Sequence, residues 1–386
     1  MATTTAPEQA AQGIEQVLAL SLELAGTDWK LAFSPGLGQQ PRLRVIAARD
    51  LSAVQREVAA AKARFNLPAG TRVVSCYEAG RDGFWLHRAL VSMGIENKVV
   101  DSASIEVSRR QRRAKTDRLD AGALVGLLLR YIGGEKRALR VVRVPPAEEE
   151  DRRQLHRELM TAKRDRTAVT NRIKSILYAH GIRLTNLDGL PALLRTLRMW
   201  NGELLPEQAR ARIARDWEEL EQLEAKIRLL QSERGKRLRT GEDAGAECAR
   251  KLMQLCGIGA SSAWLFAREF FGWREFKNRR QVGGLAGLAP TPYQSGTSRR
   301  EQGICKAGNR WIRATVIEVA WGWLRYQPNS ELSRWYERRF AHGGPRVRKI
   351  GIVALARRLL VELWKYLETG TPPAGAKLKT MRPRTA

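Results

Sequence analysis

Three short apolar runs near the start of the chain constrain its fold more than any other feature. They cover residues 17–24, 29–34 and 43–49, with glycine, proline and polar residues between them. Short apolar or alternating runs bounded by such residues are typical of β-strands. Because the breaks between the runs are short, we predict three consecutive strands of a meander.

The next eighty residues alternate between helical and extended patterns. Helices are predicted over 50–66, 81–94 and 117–132, and strands over 71–79 and 98–100. Three antiparallel strands followed by alternating helices and strands are the order expected of a ribonuclease-H-like fold, although the order alone also fits other α/β domains. We predict this domain over residues 16–145, preceded by a disordered segment, residues 1–15.

The remaining two thirds of the chain are predicted to be helical, so the fold class is α/β plus all-α. Residues 146–245 follow two prolines and carry two apolar stripes at three-four spacing, joined by a Gly/Pro-bearing segment at 181–206. This pattern predicts an antiparallel, coiled-coil-like arm that acts as a spacer or an oligomerisation element, whose basic face could also contact phosphates. Residues 246–386 form a third, helical domain whose G-I-G turn (257–259) resembles a helix-hairpin-helix element. The backbone N–H groups of this turn could bind a DNA phosphate, or the turn could simply be a tight connection between two helices.

A large positive charge indicates a polyanionic partner. Lys and Arg number 68 against 40 Asp and Glu, which gives a formal charge of +28. Phosphate neutralisation supplies most non-specific affinity for nucleic acids, so DNA or RNA is the expected partner; a ribosomal-type or membrane-surface protein is the alternative. The four cysteines lack C-x-x-C spacing, and neither a leader peptide nor an apolar stretch of about 18 residues is evident. We therefore expect a cytoplasmic protein without membrane contact, associated with the nucleoid.

Four acidic residues stand out against this basic background. Glu23 lies inside the first strand and Glu78 ends the fourth, while Asp117 and Asp120 are three residues apart and share one helical face. In a ribonuclease-H-like fold these positions converge, and the clustered charges need cations to neutralise them. Two Mg²⁺ (or Mn²⁺) ions about 3.5–4 Å apart could then activate a nucleophile and stabilise a leaving oxygen.

Each acid also has a simpler explanation when taken alone. Asp117 and Asp120 suit a helix N-terminus, where the dipole favours negative charge. Glu78 could be a solvated strand end, and Glu23 could lie on the outer face of an edge strand. It is their joint order along the predicted elements that favours a metal site.

A basic run lies directly before the helical acids. It contains Arg109, Arg110, Arg112, Arg113 and Lys115. A run of this kind is usually a solvated surface. Its position beside the predicted cutting site favours a loop that holds phosphates.

A glycine-rich segment at 281–316 places serines among cations. Two bends bracket its polar residues, which are Ser295, Ser298, Arg299, Arg300, Lys306, Asn309, Arg310 and Arg313. A serine on a flexible loop there could attack a phosphodiester, with the cations stabilising the transition state. None of the four histidines is near, so a Ser-His-Asp triad is unsupported. The nearby tryptophans, at 311, 321, 323 and 335, could stack on bases, but their spacing fits helix packing equally well, and a core position is favoured for most of them.

These motifs together resemble a known family. E-A-G at 78–80, K-T-D-R-L-D-A at 115–121 and the glycine-rich block at 287–313 are similar to those of the DEDD transposases of the IS110 insertion-sequence family. The last block is most similar to the IS1111 subgroup, which is related to Piv-type invertases. The resemblance covers nearly the whole chain in the right order.

The resemblance implies a RuvC-like domain, a coiled-coil middle and a C-terminal transposase domain with a serine nucleophile. It also implies recombination guided by a structured RNA, carried out by a homo-oligomer (dimer or tetramer). By motif, Glu78, Asp117 and Asp120 match three of the four acids, and Ser295 best matches the serine. At the first acid, where the family has Asp, this chain offers Glu23, with Asp28 five residues later.

Two other interpretations share these residues. A Holliday-junction-type nuclease would use the same acids with water as the nucleophile and form no covalent serine adduct. A nucleic-acid-binding protein with an inactive site would cut nothing.

Overall fold

The computed structural model describes residues 16–102, 117–295 and 298–379. For residues 117–120, 292–295 and 298–302 it describes the backbone only. The predicted disordered segment, residues 1–15, lies outside these ranges. The chain forms two compact units, Met1–Val144 and Pro145–Ala386. The further domain boundary near residue 245 stays a prediction.

A five-stranded mixed sheet forms the centre of the first unit. Its strands are β1 (Val17–Leu24), β2 (Asp28–Ser34), β3 (Arg42–Ala47), β4 (Arg72–Glu78) and β5 (Glu96–Val100). They lie in the order β3-β2-β1-β4-β5. The first three pair antiparallel, while β1–β4 and β4–β5 pair parallel. This arrangement confirms the predicted meander and the two strands that follow it.

Helices cover both faces of this sheet. Because side chains alternate along a strand, Leu18, Leu20 and Leu22 face one side, where they form a core with α1 (Leu51–Arg64) and α2 (Trp85–Ser92). The opposite face contacts α3 (Asp117–Ile132) through small residues that include Ala19, Ala32 and Cys76. These small side chains let the helix backbone approach the strands closely.

One predicted helix is shorter than expected. The pattern predicted a helix over 81–94, but α2 spans only Trp85–Ser92. Gly83 has φ 64°, a left-handed conformation that a helix cannot contain, and its carbonyl accepts a hydrogen bond from the Tyr77 hydroxyl over 3.0 Å. Residues 79–84 therefore form a turn after β4.

An antiparallel pair of long helices begins the second unit, after the short helix α4 (Ala147–Asp151). The pair consists of α5 (Gln154–Ala179) and α7 (Glu207–Thr240), with the short α6 (Leu190–Leu193) between them. Arg172 pairs with Asp216 over 2.9 Å, and Lys226 pairs with Glu158 over 2.8 Å. Since these pairs join early residues of one helix to late residues of the other, they confirm the predicted antiparallel hairpin.

Short helices around one long helix complete the second unit. They are α8 (Ala244–Met253), α9 (Ala260–Phe266), α10 (Arg279–Leu285), α11 (Arg310–Tyr326), α12 (Glu331–Tyr336) and α13 (Pro345–Thr369). Two of them, α9 and α12, continue as single π-helical turns. Of the four tryptophans near the glycine-rich segment, Trp323 is fully buried in this core and Trp311 and Trp335 pack half-buried against it, whereas Trp321 is 48% exposed.

The second unit also contains a hairpin that the sequence did not predict. Strands β6 (Pro290–Ser295) and β7 (Ser298–Ile304) pair antiparallel, so the prediction of an all-helical C-terminal region is wrong here. Pro290 and Pro292 disfavour the interior of a helix, because proline lacks the backbone N–H that a helix interior needs. The strands instead satisfy one another's backbone groups.

Across residues 16–102, 117–295 and 298–379, no helix is both long and apolar enough to span a bilayer.

Candidate functional site

Glu23 and Glu78 lie at matching positions on neighbouring parallel strands. The last paired residues of β1 and β4 are Leu22 and Tyr77, and each glutamate follows one residue later. Alternation turns both side chains to the face of the sheet that α3 covers, together with Ser21 and Cys76. The first unit thus brings together two of the four predicted acids.

The two glutamates line one cleft of about 270 Å³. Residues 22–26 form one wall and residues 78–82 the other. Glu23 is half-buried and Glu78 is exposed, so the cleft is open to solvent at its β4 side. A cleft of this size can admit a phosphate group and ions.

The first turn of α3 is held against the same strands. The buried Ser21 hydroxyl donates a hydrogen bond to the backbone carbonyl of Ala121 over 2.7 Å. Because α3 begins at Asp117, its first turn lies beside the end of β1 that carries Glu23. Asp117 and Asp120 are therefore close to the cleft along the backbone, although their side chains lie outside the described residues.

The donor chemistry of this site suits a divalent cation. Carboxylate oxygens are the ligands that Mg²⁺ takes in proteins. Among the side chains that the structure describes, no three His, Cys, Asp or Glu residues gather closely enough to hold a metal. Two glutamates alone are too few, so a complete set needs the helical acids, and the four-carboxylate site stays a prediction.

Asp28, the alternative first acid, does not line the cleft. It opens β2 opposite Ala47 and accepts a hydrogen bond from the Thr27 hydroxyl over 2.8 Å. The cleft lining within the described ranges includes Glu23 but not Asp28. The geometry favours Glu23.

Two cleft residues were missed by the sequence analysis. Asp82 and Arg81 lie on the turn after β4, a segment that the sequence assigned to a helix. The Asp82 side chain is only 10% exposed, and the guanidinium of Arg81 lies 3.8 Å from it. The G-R-D-G spacing at 80–83 is typical of a turn and could have revealed both residues.

A cation also stands across from Glu23. Lys30 of β2 is its direct register partner, so the two side chains leave the same face of the sheet. Directly opposed residues have Cβ atoms about 4.5–5.5 Å apart. The site therefore combines carboxylates with at least two basic side chains, Lys30 and Arg81.

Ser295 ends β6 and is the register partner of Ser298. The prediction of a flexible loop is therefore wrong at this residue, because a paired strand fixes its backbone. Arg299 and Arg300 follow on β7, opposite Gln294 and Tyr293. The hairpin thus brings the predicted serine and two predicted phosphate-binding arginines close together along the backbone.

Lys306 and Arg310 follow the hairpin and are both exposed. Lys306 has φ 56°, and its carbonyl accepts a hydrogen bond from Arg313 Nη1 over 2.8 Å. Asn309 caps α11 by accepting from the backbone N–H groups of residues 311 and 312. These hydrogen bonds hold the backbone of the connection, and so they fix the positions from which the Lys306 and Arg310 side chains extend.

The G-I-G turn packs as an interhelical connection. A Cβ at Gly257 would stand 3.4 Å from that of Tyr326, and the Cys256 carbonyl accepts from Gln327 Nε2 over 2.9 Å. These contacts join the α8–α9 turn to the end of α11. They favour a packing role over phosphate binding.

A buried polar group lies where α5 meets the C-terminal helices. Arg157 pairs with the buried Glu269 over 3.0 Å, and His156 packs edge-on against Trp311. Burial lowers the pKa of His156 to about 4, with the Glu269 charge acting in the opposite direction. The histidine ring is therefore neutral near pH 7.

The basic run of Arg109, Arg110, Arg112, Arg113 and Lys115 lies outside the described residues. Its role in holding phosphates stays a prediction.

Known proteins resemble this sequence over 56–94% of its length. Residues 249–336 match the transposase family described as IS116/IS110/IS902. The protein y4rJ of Sinorhizobium fredii, named as a transposase, is 40% identical over 94% of both chains. The transposase for insertion sequence element IS1111A of Coxiella burnetii is 24% identical over 73% of this chain and 74% of its own length. The transposase for IS1328 of Yersinia enterocolitica is 25% identical over 56% of this chain and 63% of its own.

Proposed function

Because this chain belongs to the IS116/IS110/IS902 family of insertion-sequence transposases, we propose that it cuts and rejoins DNA with an acidic metal site and a serine nucleophile. The acidic site consists of Glu23, Glu78, Asp117 and Asp120. The nucleophile is Ser295. We propose that the first unit is a RuvC-like domain of the ribonuclease-H fold.

One observation carries the acidic part of this proposal. Glu23 and Glu78 stand side by side on parallel strands and line one cleft, and the Ser21–Ala121 hydrogen bond holds the first turn of α3 beside them. The strand order β3-β2-β1-β4-β5, with an antiparallel meander and two parallel additions, supports the RuvC-like interpretation.

The four carboxylates would hold Mg²⁺ or Mn²⁺. Bound there, the ion supplies positive charge and Lewis acidity toward a phosphodiester oxygen. The four carboxylates would hold the ion in place. Arg81, at the edge of the cleft, can bind a non-bridging phosphate oxygen. Lys30, across from Glu23, adds a second positive charge.

The hairpin would carry the covalent step. The Ser295 oxygen attacks phosphorus, a new O–P bond forms, and one bridging oxygen of the DNA leaves with a proton from solvent while the serine proton is released. Arg299 and Arg300, one strand away, stabilise the developing negative charge. Rejoining reverses this step with a different DNA oxygen as the nucleophile.

Other parts of the proposal rest on the family resemblance and the charge. A net charge of +28 suits DNA together with a structured guide RNA. A homo-oligomer, dimer or tetramer, would bring two DNA ends together. Such an enzyme would act in the bacterial cytoplasm, on the nucleoid.

Asp120→Asn tests the acidic site. A plasmid carrying the element with its flanking DNA is incubated with the protein, RNA transcribed from the element and Mg²⁺, and strand breaks and covalent protein–DNA adducts are measured. We expect Asp120→Asn to lose cleavage and keep DNA binding, and Asp188→Asn, an exposed acid of the second unit, to behave like wild type.

The outcomes separate the rival functions. Wild-type cleavage by Asp120→Asn contradicts the metal site. Cleavage without any adduct favours a structure-selective nuclease, and binding without cleavage favours an inactive nucleic-acid-binding protein.

A further inference from the structure

A large groove lies in the second unit at the base of the β6–β7 hairpin. Its volume is about 1070 Å³, and it runs along one face of α13. Pro290 and Ile304, the outer ends of the two hairpin strands, line one end of it. Neither Ser295 nor any residue of the acidic cleft lines this groove.

The rim of the groove is strongly basic. It carries seven cations, which are Arg279, Arg280, Arg346, Lys349, Arg357, Arg358 and Lys365. The one acid that lines it, Glu362, pairs with Lys365 over 2.8 Å. Within the described part of the chain, no acid forms an ion pair with any of the other six cations, so their charge is available to a ligand.

The floor of the groove is apolar. Trp335, Val353 and Val361 line it, and Ile350 is 56% exposed there. The guanidinium of Arg358 lies 4.3 Å from the centre of the Trp335 ring, a stacked cation–π arrangement. An exposed apolar floor of this kind is costly in water unless a ligand covers it.

We propose that this groove binds a single strand of DNA next to the cut site. Cations along the rim match the spaced phosphates of a strand, and an aromatic, aliphatic floor matches unpaired bases. A duplex offers phosphates but hides its base faces, so it would leave the floor uncovered.

The position of the groove connects it to the chemistry. Ser295 lies five residues beyond Pro290 along β6, which is about 17 Å for an extended strand. A strand attached at Ser295 can therefore continue from the hairpin into the groove. This part of the inference rests on the proposed function of Ser295.

Charge reversal tests the rim. Arg346→Glu with Lys349→Glu should weaken binding of a fluorescent single-stranded 12-mer DNA at least tenfold and flatten its salt dependence by about 1.4 in log–log slope, since each phosphate contact contributes about 0.7. Arg212→Glu with Arg215→Glu is the matched control. It makes the same charge change at the same three-residue spacing on the exposed side of α7.

Ile350→Ser tests the floor. The variant should bind the normal 12-mer several-fold more weakly and should bind an abasic 12-mer as wild type does, because only bases contact the floor. Equal losses on both strands would overturn base contact. Equal losses in the rim variant and its α7 control would mean that net charge alone drives binding, which would overturn the site.

These measurements use protein without Mg²⁺, so they do not depend on cleavage. If wild-type protein forms no serine adduct but the rim and floor variants behave as expected, the proposed function fails and the groove stands. If cleavage is normal in all variants and binding is unchanged, the groove proposal fails alone. Tighter binding of a 12-mer RNA or of duplex DNA, lost equally in the rim variant, would overturn single-stranded DNA as the occupant.

Discussion

Ser21 on β1 donates its buried hydroxyl hydrogen to the backbone carbonyl of Ala121, 2.7 Å away in α3. This is a direct polar link between the strand that carries Glu23 and the helix that begins at Asp117. The link holds the first turn of α3 beside the strand that carries Glu23. We therefore expect the hydroxyl to hold α3 in place and to take no part in the reaction itself.

Ser21→Ala should separate stability from activity. Loss of one buried hydrogen bond costs about 1 kcal/mol of unfolding free energy, but loosening α3 misplaces Asp117 and Asp120, so cleavage should fall by tenfold or more. Cleavage rate and the urea midpoint are measured together. Ser34→Ala is the control, because Ser34 is equally buried but, among the described residues, its side chain bonds only to Gly36 within its own turn. Equal cleavage losses in both variants would contradict a positioning role.

Glu23→Gln should lower Mg²⁺-dependent cleavage about a hundredfold, which corresponds to roughly 2.7 kcal/mol of transition-state stabilisation. The reason is that Glu23 shares a cleft with Glu78. Asp28→Asn should have little effect, because Asp28 lies outside that cleft lining and bonds to Thr27. The check is the cleavage rate against Mg²⁺ concentration, and the reverse ranking would move the first acid to Asp28.

Ser295→Ala should abolish the covalent DNA adduct and leave the fold intact. Ser298→Ala is a closely matched control, because Ser298 is the register partner of Ser295 on the same hairpin. The adduct is measured by denaturing gel electrophoresis of labelled DNA. An adduct that survives in Ser295→Ala and is lost in Ser298→Ala would assign the nucleophile to the other strand.

The strongest local patterns predicted their elements well. Strand β1 and helix α3 have the predicted bounds, because a long apolar periodicity leaves little choice of structure. The hairpin was missed because its strands are short and contain two prolines, which weaken any strand pattern. Asp82 was missed because a turn replaced part of a predicted helix.

The basic groove shows a different limit of sequence reasoning. Its rim joins residues from α10 and α13, and its floor adds Trp335 from α12. Nothing in the local sequence indicates that these segments meet. These basic residues are separated in the sequence and form no recognisable motif, and only the packing of the helices brings them onto one rim.

His156 should make the second unit less stable in mild acid. Burial lowers the pKa of its ring to about 4, whereas the unfolded chain has a value near 6.5. The unfolded state therefore takes up the proton first. Stability is complete above about pH 6.5 and declines as the pH falls toward 4, by about 2 kcal/mol between pH 7 and pH 5.

His156→Phe should remove this part of the pH dependence. Neither ring nitrogen has a hydrogen-bond partner among the described residues, and the ring packs against Trp311, so phenylalanine can take its place. Glu269, Arg234, Lys163 and Arg157 also act on the ring, and all four remain in the variant. The urea midpoint, followed by tryptophan fluorescence from pH 7 to pH 5, is compared with that of wild type and of His342→Phe, whose site is exposed. If His156→Phe loses as much stability as wild type over this range, another group carries the acid sensitivity, since a neutral ring at position 156 has no proton to gain.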